Sequence, residues 1–257
     1  MKEYFIQKTN CMLRYNDFPG KDMPILFIHG LGCAGSFDYP EVAAQAALKN
    51  HRCVIVDLLG AGYSDKPANF PYTVNDHAEY LLDFLTVIGL ESFILFGHSL
   101  GGAVALSLAA KCPERIHRII LSEANLDKSS AGSTSKYIAD YEMSAFLQHG
   151  FHDLVQESYA SGNHMWAASL SLWSPQATYL ISQSAAKGNH PSWRELLYAL
   201  DCPKTFIFGE HSLPDSDMQV LATHGIHIGL VPNAGHSMAW ENPVGLANAI
   251  GDAIQRK

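Results

Sequence analysis

The chain has 257 residues, 47% hydrophobic and 16% charged; that is enough apolar material for a large buried core and too little charge for wholesale disorder. Its 17 Lys and Arg against 25 Asp and Glu give a net charge of −8, and no stretch concentrates basic residues, which argues against nucleic acid or an anionic membrane surface as the main partner. The five cysteines, Cys11, Cys33, Cys53, Cys112 and Cys202, lie far apart; an odd, dispersed set without a C-x-x-C pair cannot all form internal disulfides and makes a structural zinc cluster a poor reading.

The first ten residues, MKEYFIQKTN, have no apolar signal core, and no later run reaches the roughly 18 residues of a membrane span. A soluble, reduced, cytoplasmic protein is expected. Residues 4–15 read as a short antiparallel hairpin. Further along, 25–29 (ILFIH), 53–57 (CVIVD), 93–97 (FILFG) and 116–121 (IHRIIL) are β-branched or aromatic and bounded by turn residues. Most are apolar at consecutive positions, the pattern of strands covered on both faces by helices. The segments between them are long enough for crossover helices. Residues 75–88 carry one apolar stripe, whereas 100–111 are apolar nearly all round and stop before Pro113, as a deeply packed helix should.

After residue 121 the rhythm breaks. About eighty residues pass with no convincing buried strand before 205–208 (TFIF) and 226–231 (IHIGLV). A structureless loop of that length is improbable inside a domain, so a helical insertion over 126–199 is expected. In it Tyr137, Tyr141 and Ala145 share a helical face, Gly150 reads as a stop, and Leu154, Val155, Ser158 and Tyr159 form a second face ending at Gly162. The polar stretch DKSSAGSTS, 127–135, reads as its flexible hinge. Three of the four tryptophans, Trp166, Trp173 and Trp193, fall in this segment. Residues 242–254 close the chain as a surface helix. Repeated β-α units of this kind imply a mostly parallel, doubly wound α/β sheet.

Gly97-His98-Ser99-Leu100-Gly101 has the form G-x-S-x-G. It directly follows the apolar run FILF and directly precedes the all-apolar helix, the strand–turn–helix setting of a nucleophile elbow. So tight a turn forces strained backbone angles on the serine, and the flanking glycines leave room for it. The hydroxyl then stands at the strand's C-terminal edge with helix amides pointing at it.

With the flanking motifs the chain resembles the α/β-hydrolase superfamily over essentially its whole length. His29-Gly30-Leu31-Gly32 matches the H-G-x loop, Asp57 to Ser64 (DLLGAGYS) matches D-x-x-G-x-G-x-S, and Asn233-Ala234-Gly235-His236-Ser237 follows the last strand as the family's histidine does. The resemblance implies the α/β-hydrolase fold, with a core of 1–125 and 200–257 and a helical cap of 126–199. It also implies Ser99 as nucleophile, His236 as base, and an oxyanion hole from the backbone amides of Leu31 and Leu100. His29, His98, Asp57 and Ser64 are read as shaping loops.

The third member departs from the usual pattern. The site where the family commonly carries an Asp reads Gly209-Glu210-His211-Ser212, with a serine in the acid's register and Glu210, Asp215 and Asp217 out of it. A minority of the superfamily carries the acid one strand earlier, where this chain has Glu123. A glutamate ending an otherwise buried strand is costly unless paired, and Glu123 is taken as the acid. No metal or cofactor is called for; Gly60-Ala61-Gly62 is too short and misplaced for a dinucleotide fingerprint. The expected partner is a small-molecule acyl substrate, a small or medium, largely apolar ester, thioester or lactone. The alternatives are carbon–carbon bond hydrolysis or acyl transfer on the same residues, or a non-enzymatic ligand-binding member of the fold.

Overall fold

A computed structural model describes residues 1–256. The strands are β1 (Lys2–Ile6), β2 (Cys11–Phe18), β3 (Asp22–Ile28), β4 (His51–Asp57), β5 (Phe93–His98), β6 (Ile116–Ser122), β7 (Lys204–Gly209) and β8 (His227–Val231). They form one sheet in the order β1-β2-β4-β3-β5-β6-β7-β8. The first two are antiparallel to each other, and β2 runs antiparallel to β4; from β4 onward every pair is parallel. The hairpin read at 4–15 is thus present but longer, because β2 runs on to Phe18 to pair with β4.

Consecutive apolar residues serve the two faces in turn. Along β3, Leu26 and Ile28 join one core cluster while Ile25 and Phe27 join the other. On β5, Phe93 and Leu95 lie with the first pair, and Ile94 and Phe96 with the second. Both faces must therefore be covered, which is why these strands lack the alternation of a half-exposed sheet. Truncating a fully buried ring such as Phe27 to alanine would cost about 3–5 kcal/mol.

On the first face lie helices α1 (Val74–Val87) and α2 (Leu100–Ala109), packed on each other. A capping box between Thr73 and Asp76 starts α1, satisfying amides that the helix cannot. All ten residues of α2 are buried. Between β6 and β7 the chain forms α3 (Thr134–Ala139), α4 (Phe151–Ala160), α5 (His164–Leu170), α6 (Pro175–Lys187) and α7 (Trp193–Ala199). Then come α8 (Ser216–Thr223) and, on the second face, α9 (Pro243–Gln255), whose Leu246, Ala247, Ile250 and Ala253 belong to that face's core. No helix among the described residues is long and apolar enough to cross a membrane.

Three local expectations fail in the segment between β6 and β7. Tyr137, Tyr141 and Ala145 do not share one helix, because α3 ends at Ala139 and a separate short helix begins only at Met143. Gly150 does not stop a helix: a π-helical turn over Phe146–Gly150 leads straight into α4, and Gly150 sits at φ −57°. Its missing side chain serves packing, because a Cβ there would lie 2.9 Å from the Tyr141 ring. The chain turns instead at Gly162, where φ is +88°. Nor is 127–135 an open polar hinge. Ser129 and Ser135 are buried and share a 2.7 Å hydroxyl hydrogen bond, and the Ser129 amide donates to the Ala185 carbonyl. Mutual hydrogen bonding makes these serines compatible with burial.

Candidate active site

Ser99 stands between β5 and α2 with φ 51° and ψ −126°, a conformation costly for a residue with a side chain and kept only where the surroundings dictate it. Here they do. A Cβ on Gly101 would lie 2.2 Å from the His29 carbonyl oxygen, and one on Gly97 2.8 Å from Ala105 Cβ. Only glycines let strand, elbow and the loop after β3 approach so closely. The Ser99 amide donates to the Ser122 carbonyl at 2.9 Å, tying the elbow to the end of β6.

Three side chains from separate loops meet there. The Ser99 hydroxyl lies 3.1 Å from His236 Nε2, and His236 Nδ1 lies 2.6 Å from Glu123 Oε2. An Nδ1–H donating to Glu123 leaves Nε2 as the acceptor for the serine proton. Glu123 itself has φ 40°, and its Oε1 accepts the Gly209 amide at 2.9 Å. Burial pushes the Glu123 pKa up, but the bonds from His236 and Gly209 outweigh it and hold the carboxyl below its ordinary value, with help from Ser212. The serine in the usual acid's register therefore faces the carboxylate.

The nearby acids are occupied elsewhere. Glu210 Oε2 accepts the Asn233 amide at 2.8 Å, on the loop leading to His236. Asp215 caps α8, its Oδ1 accepting the Asp217 amide at 2.7 Å.

Leu31 and Leu100 line the same pocket as Ser99, and among the described residues neither backbone amide donates to a protein acceptor. Two tryptophans hold the loop that carries Leu31. Trp166 on α5 donates its Nε1–H to the Leu31 carbonyl at 2.9 Å, and Trp173 donates to the Cys33 carbonyl at 2.6 Å. Trp193 instead lies in the core, donating to Ser107 of α2 at 3.1 Å. His29 bridges loops: its Nδ1 lies 2.9 Å from the Gly30 carbonyl, and its Nε2 accepts the Leu58 amide at 3.0 Å. Burial lowers its pKa, consistent with one neutral tautomer making both bonds. The Asp57 carboxylate accepts from the Ser36 and Tyr63 amides, and the Ser64 hydroxyl donates to the Asp57 carbonyl. Those residues organise loops, as read from the sequence. His98 is buried, with its ring 4.7 Å from that of His236 and its Nδ1 2.9 Å from the Ser122 hydroxyl. Burial, then the neighbouring His236, pushes its pKa down to about 3.

The pocket around Ser99 has a volume of about 400 Å³. Leu31, Leu100, Met238 and Leu246 give it apolar surface, while Ser133, Thr134, Ser135 and Asn163 add a polar rim from the helical segment. Asp38, Tyr39 and Trp240 form a further wall; they lie in no motif and nothing in the sequence singles them out. A hydroxyl, an imidazole and a carboxylate in one hydrogen-bonded series at the edge of a cavity are groups that can carry out nucleophilic attack on a carbonyl carbon.

A family model described as the alpha/beta hydrolase fold matches residues 23–225. Over 102 residues, 40% of the chain, the sequence is 33% identical to 2-hydroxymuconate semialdehyde hydrolase of Pseudomonas putida, and the match covers 36% of that protein. The chain thus spans little more than a third of the length of the curated relatives it matches. Among solved structures, the thermophilic esterase of Thermogutta terrifontis superposes with a TM-score of 0.81 at 20% identity, over 99% of this chain and 97% of that one. The enol-lactonase of Burkholderia xenovorans gives 0.75 at 18% identity, over 99% and 100%. At such identities the structural likeness speaks for the fold.

Proposed function

Since the chain belongs to the alpha/beta hydrolase fold family, we propose that it is a serine hydrolase that cleaves a small or medium, largely apolar ester, thioester or lactone through an acyl-enzyme. The observation that carries this reading is the hydrogen-bonded series Ser99, His236, Glu123, with its 3.1 and 2.6 Å links. In the proposed mechanism Ser99 Oγ attacks the carbonyl carbon while His236 Nε2 takes its proton. Glu123 holds the ring's orientation and stabilises the imidazolium, and the Leu31 and Leu100 amides bind the oxyanion. His236 then protonates the leaving group, and a water activated by the same base releases the acid. Residues 126–199 act as a cap that shapes the pocket above Ser99. The dispersed cysteines favour a reducing, cytoplasmic setting.

Steady turnover of p-nitrophenyl esters, lost by roughly 10⁴–10⁶ in kcat in Ser99→Ala, would support the reading. Turnover that survives in Ser99→Ala, or that never rises above background, would refute it. The partial match to a semialdehyde hydrolase favours one second reading, carbon–carbon bond hydrolysis on the same residues. A vinylogous diketone substrate cleaved faster than any ester would select it.

A further inference from the structure

Three side-chain atoms in one wall of the Ser99 pocket are buried without hydrogen-bond partners: Asp38 Oδ1, Tyr39 Oη and Trp240 Nε1. Asp38 is 4% exposed and Tyr39 1%. Folded proteins leave few buried polar atoms unpaired, and each one calls for a reason. A cluster of three in the lining of a cavity is explained most simply by a group that arrives from outside. Asp38 ends a one-turn helix (Gly35–Asp38) after β3 with Tyr39 next to it, and Trp240 lies in a one-turn helix (Met238–Glu241) after His236, so the wall is assembled from two chain segments that also flank the reacting atoms. The Cys33 thiol and the Trp240 indole both lie near the Asp38 carboxyl, but Trp240 Nε1 and Asp38 Oδ1 do not meet at hydrogen-bonding geometry, and a thiol is only a weak donor.

We propose that Asp38, Tyr39 and Trp240 are a second recognition point of the pocket, one that hydrogen-bonds an uncharged keto or hydroxyl oxygen of the substrate away from the bond being cleaved. The inference rests on the serine-hydrolase reading and names a feature of its substrate class. An indole N–H can only donate, and a phenol or a protonated carboxyl donates readily, so the set suits an oxygen acceptor. The wall carries no cation that would draw an anion. Burial, followed by the nearby Asp57 charge, pushes the Asp38 pKa up to about 8, so at neutral pH the carboxyl is protonated and offers an O–H. The groups facing it are Cys33, Tyr39, Trp240 and, more remotely, Asp57. Without substrate, loosely held water can occupy the wall, and an oxygen that replaces its hydrogen bonds gains affinity over a methylene that cannot.

The test compares p-nitrophenyl hexanoate with keto analogues bearing the carbonyl at successive carbons of the acyl chain, together with one amine-bearing analogue. Rates are corrected for uncatalysed hydrolysis. The wild type should prefer one keto position over the plain ester by about tenfold or more in kcat/KM. That ratio should fall toward one in Asp38→Leu and take an intermediate value in Asp38→Asn, whose amide can still donate. Because the readout is a ratio, a loss common to both esters does not affect it. If Asp38→Leu does not fold, Asp38→Asn and Trp240→Phe decide by the same ratio. No keto preference at any position, a preference untouched by these variants, or preference for the amine would each overturn the proposal. Should no ester turn over, the hydrolase reading fails separately, and calorimetry with the matching carboxamides on Ser99→Ala reads the same ratio as binding.

Discussion

Trp166 Nε1 donates to the Leu31 carbonyl at 2.9 Å, so a helix from the segment between β6 and β7 holds a loop that lines the same pocket as Ser99. The contact is close enough that a Cβ on Gly32 would lie 2.5 Å from the same indole nitrogen. A peptide plane held by its carbonyl also has its neighbouring N–H groups oriented, and oxyanion stabilisation depends on that orientation being set before reaction. Trp166→Phe keeps most of the ring's volume and removes the donor. It should lower kcat roughly tenfold to hundredfold with little change in KM, while a thermal melt shows the fold intact. An unchanged kcat would mean that the tryptophan only fills space.

The acid after β6 is a second point of decision. Glu123→Gln should lower kcat by about 10²–10⁴, since a neutral amide neither stabilises the imidazolium nor enforces its tautomer. Glu210→Gln should cost less than about tenfold, because Glu210 supports the Asn233 amide rather than the His236 ring. Steady-state kinetics on both variants decides; the reverse ranking would move the acid to the loop after β7.

Glu123 also makes a pH prediction. Its folded pKa is depressed below the ordinary 4.5, so it adds stability that is present above 4.5 and lost as pH falls through the folded value. Urea unfolding should therefore show the advantage of wild type over Glu123→Gln shrinking as the pH is lowered below 4.5. An advantage that grows on acidification would contradict the hydrogen bonds drawn to this carboxylate.

Asp38 has the opposite sign. Its folded pKa of about 8 lies above the ordinary 3.8, so the folded state holds a proton that the unfolded chain has released between those values. Wild type should lose stability relative to Asp38→Asn as the pH rises from about 4 to about 8. Unfolding curves for both proteins at pH 5 and pH 8 measure it. A difference independent of pH would mean that the carboxyl is not held protonated in the folded state.

How much of this could be read in the sequence varies from residue to residue. The elbow was legible because its chemistry is local: strand, tight turn and packed helix leave their residue preferences side by side around Ser99. Glu123 was legible because an acid ending an apolar strand has few comfortable environments. The wall of Asp38, Tyr39 and Trp240 left no such mark; its members lie far apart in the chain, and each alone looks ordinary. Gly150 misled because a missing Cβ can serve a close packing partner as well as a positive φ, and only the Tyr141 ring tells them apart. The serines of 127–135 looked like a hinge by composition, yet paired hydroxyls make them part of the packed structure.

The central claim is that Ser99 is the nucleophile in an acyl-transfer site, and a crystal structure of the protein inhibited with a serine-reactive alkyl phosphonate tests it most directly. The account predicts phosphorus bonded to Ser99 Oγ, with the phosphonyl oxygen about 3 Å from both the Leu31 and Leu100 amides. Phosphorus on any other residue, or on Ser99 with its oxygen turned away from those amides, would contradict it.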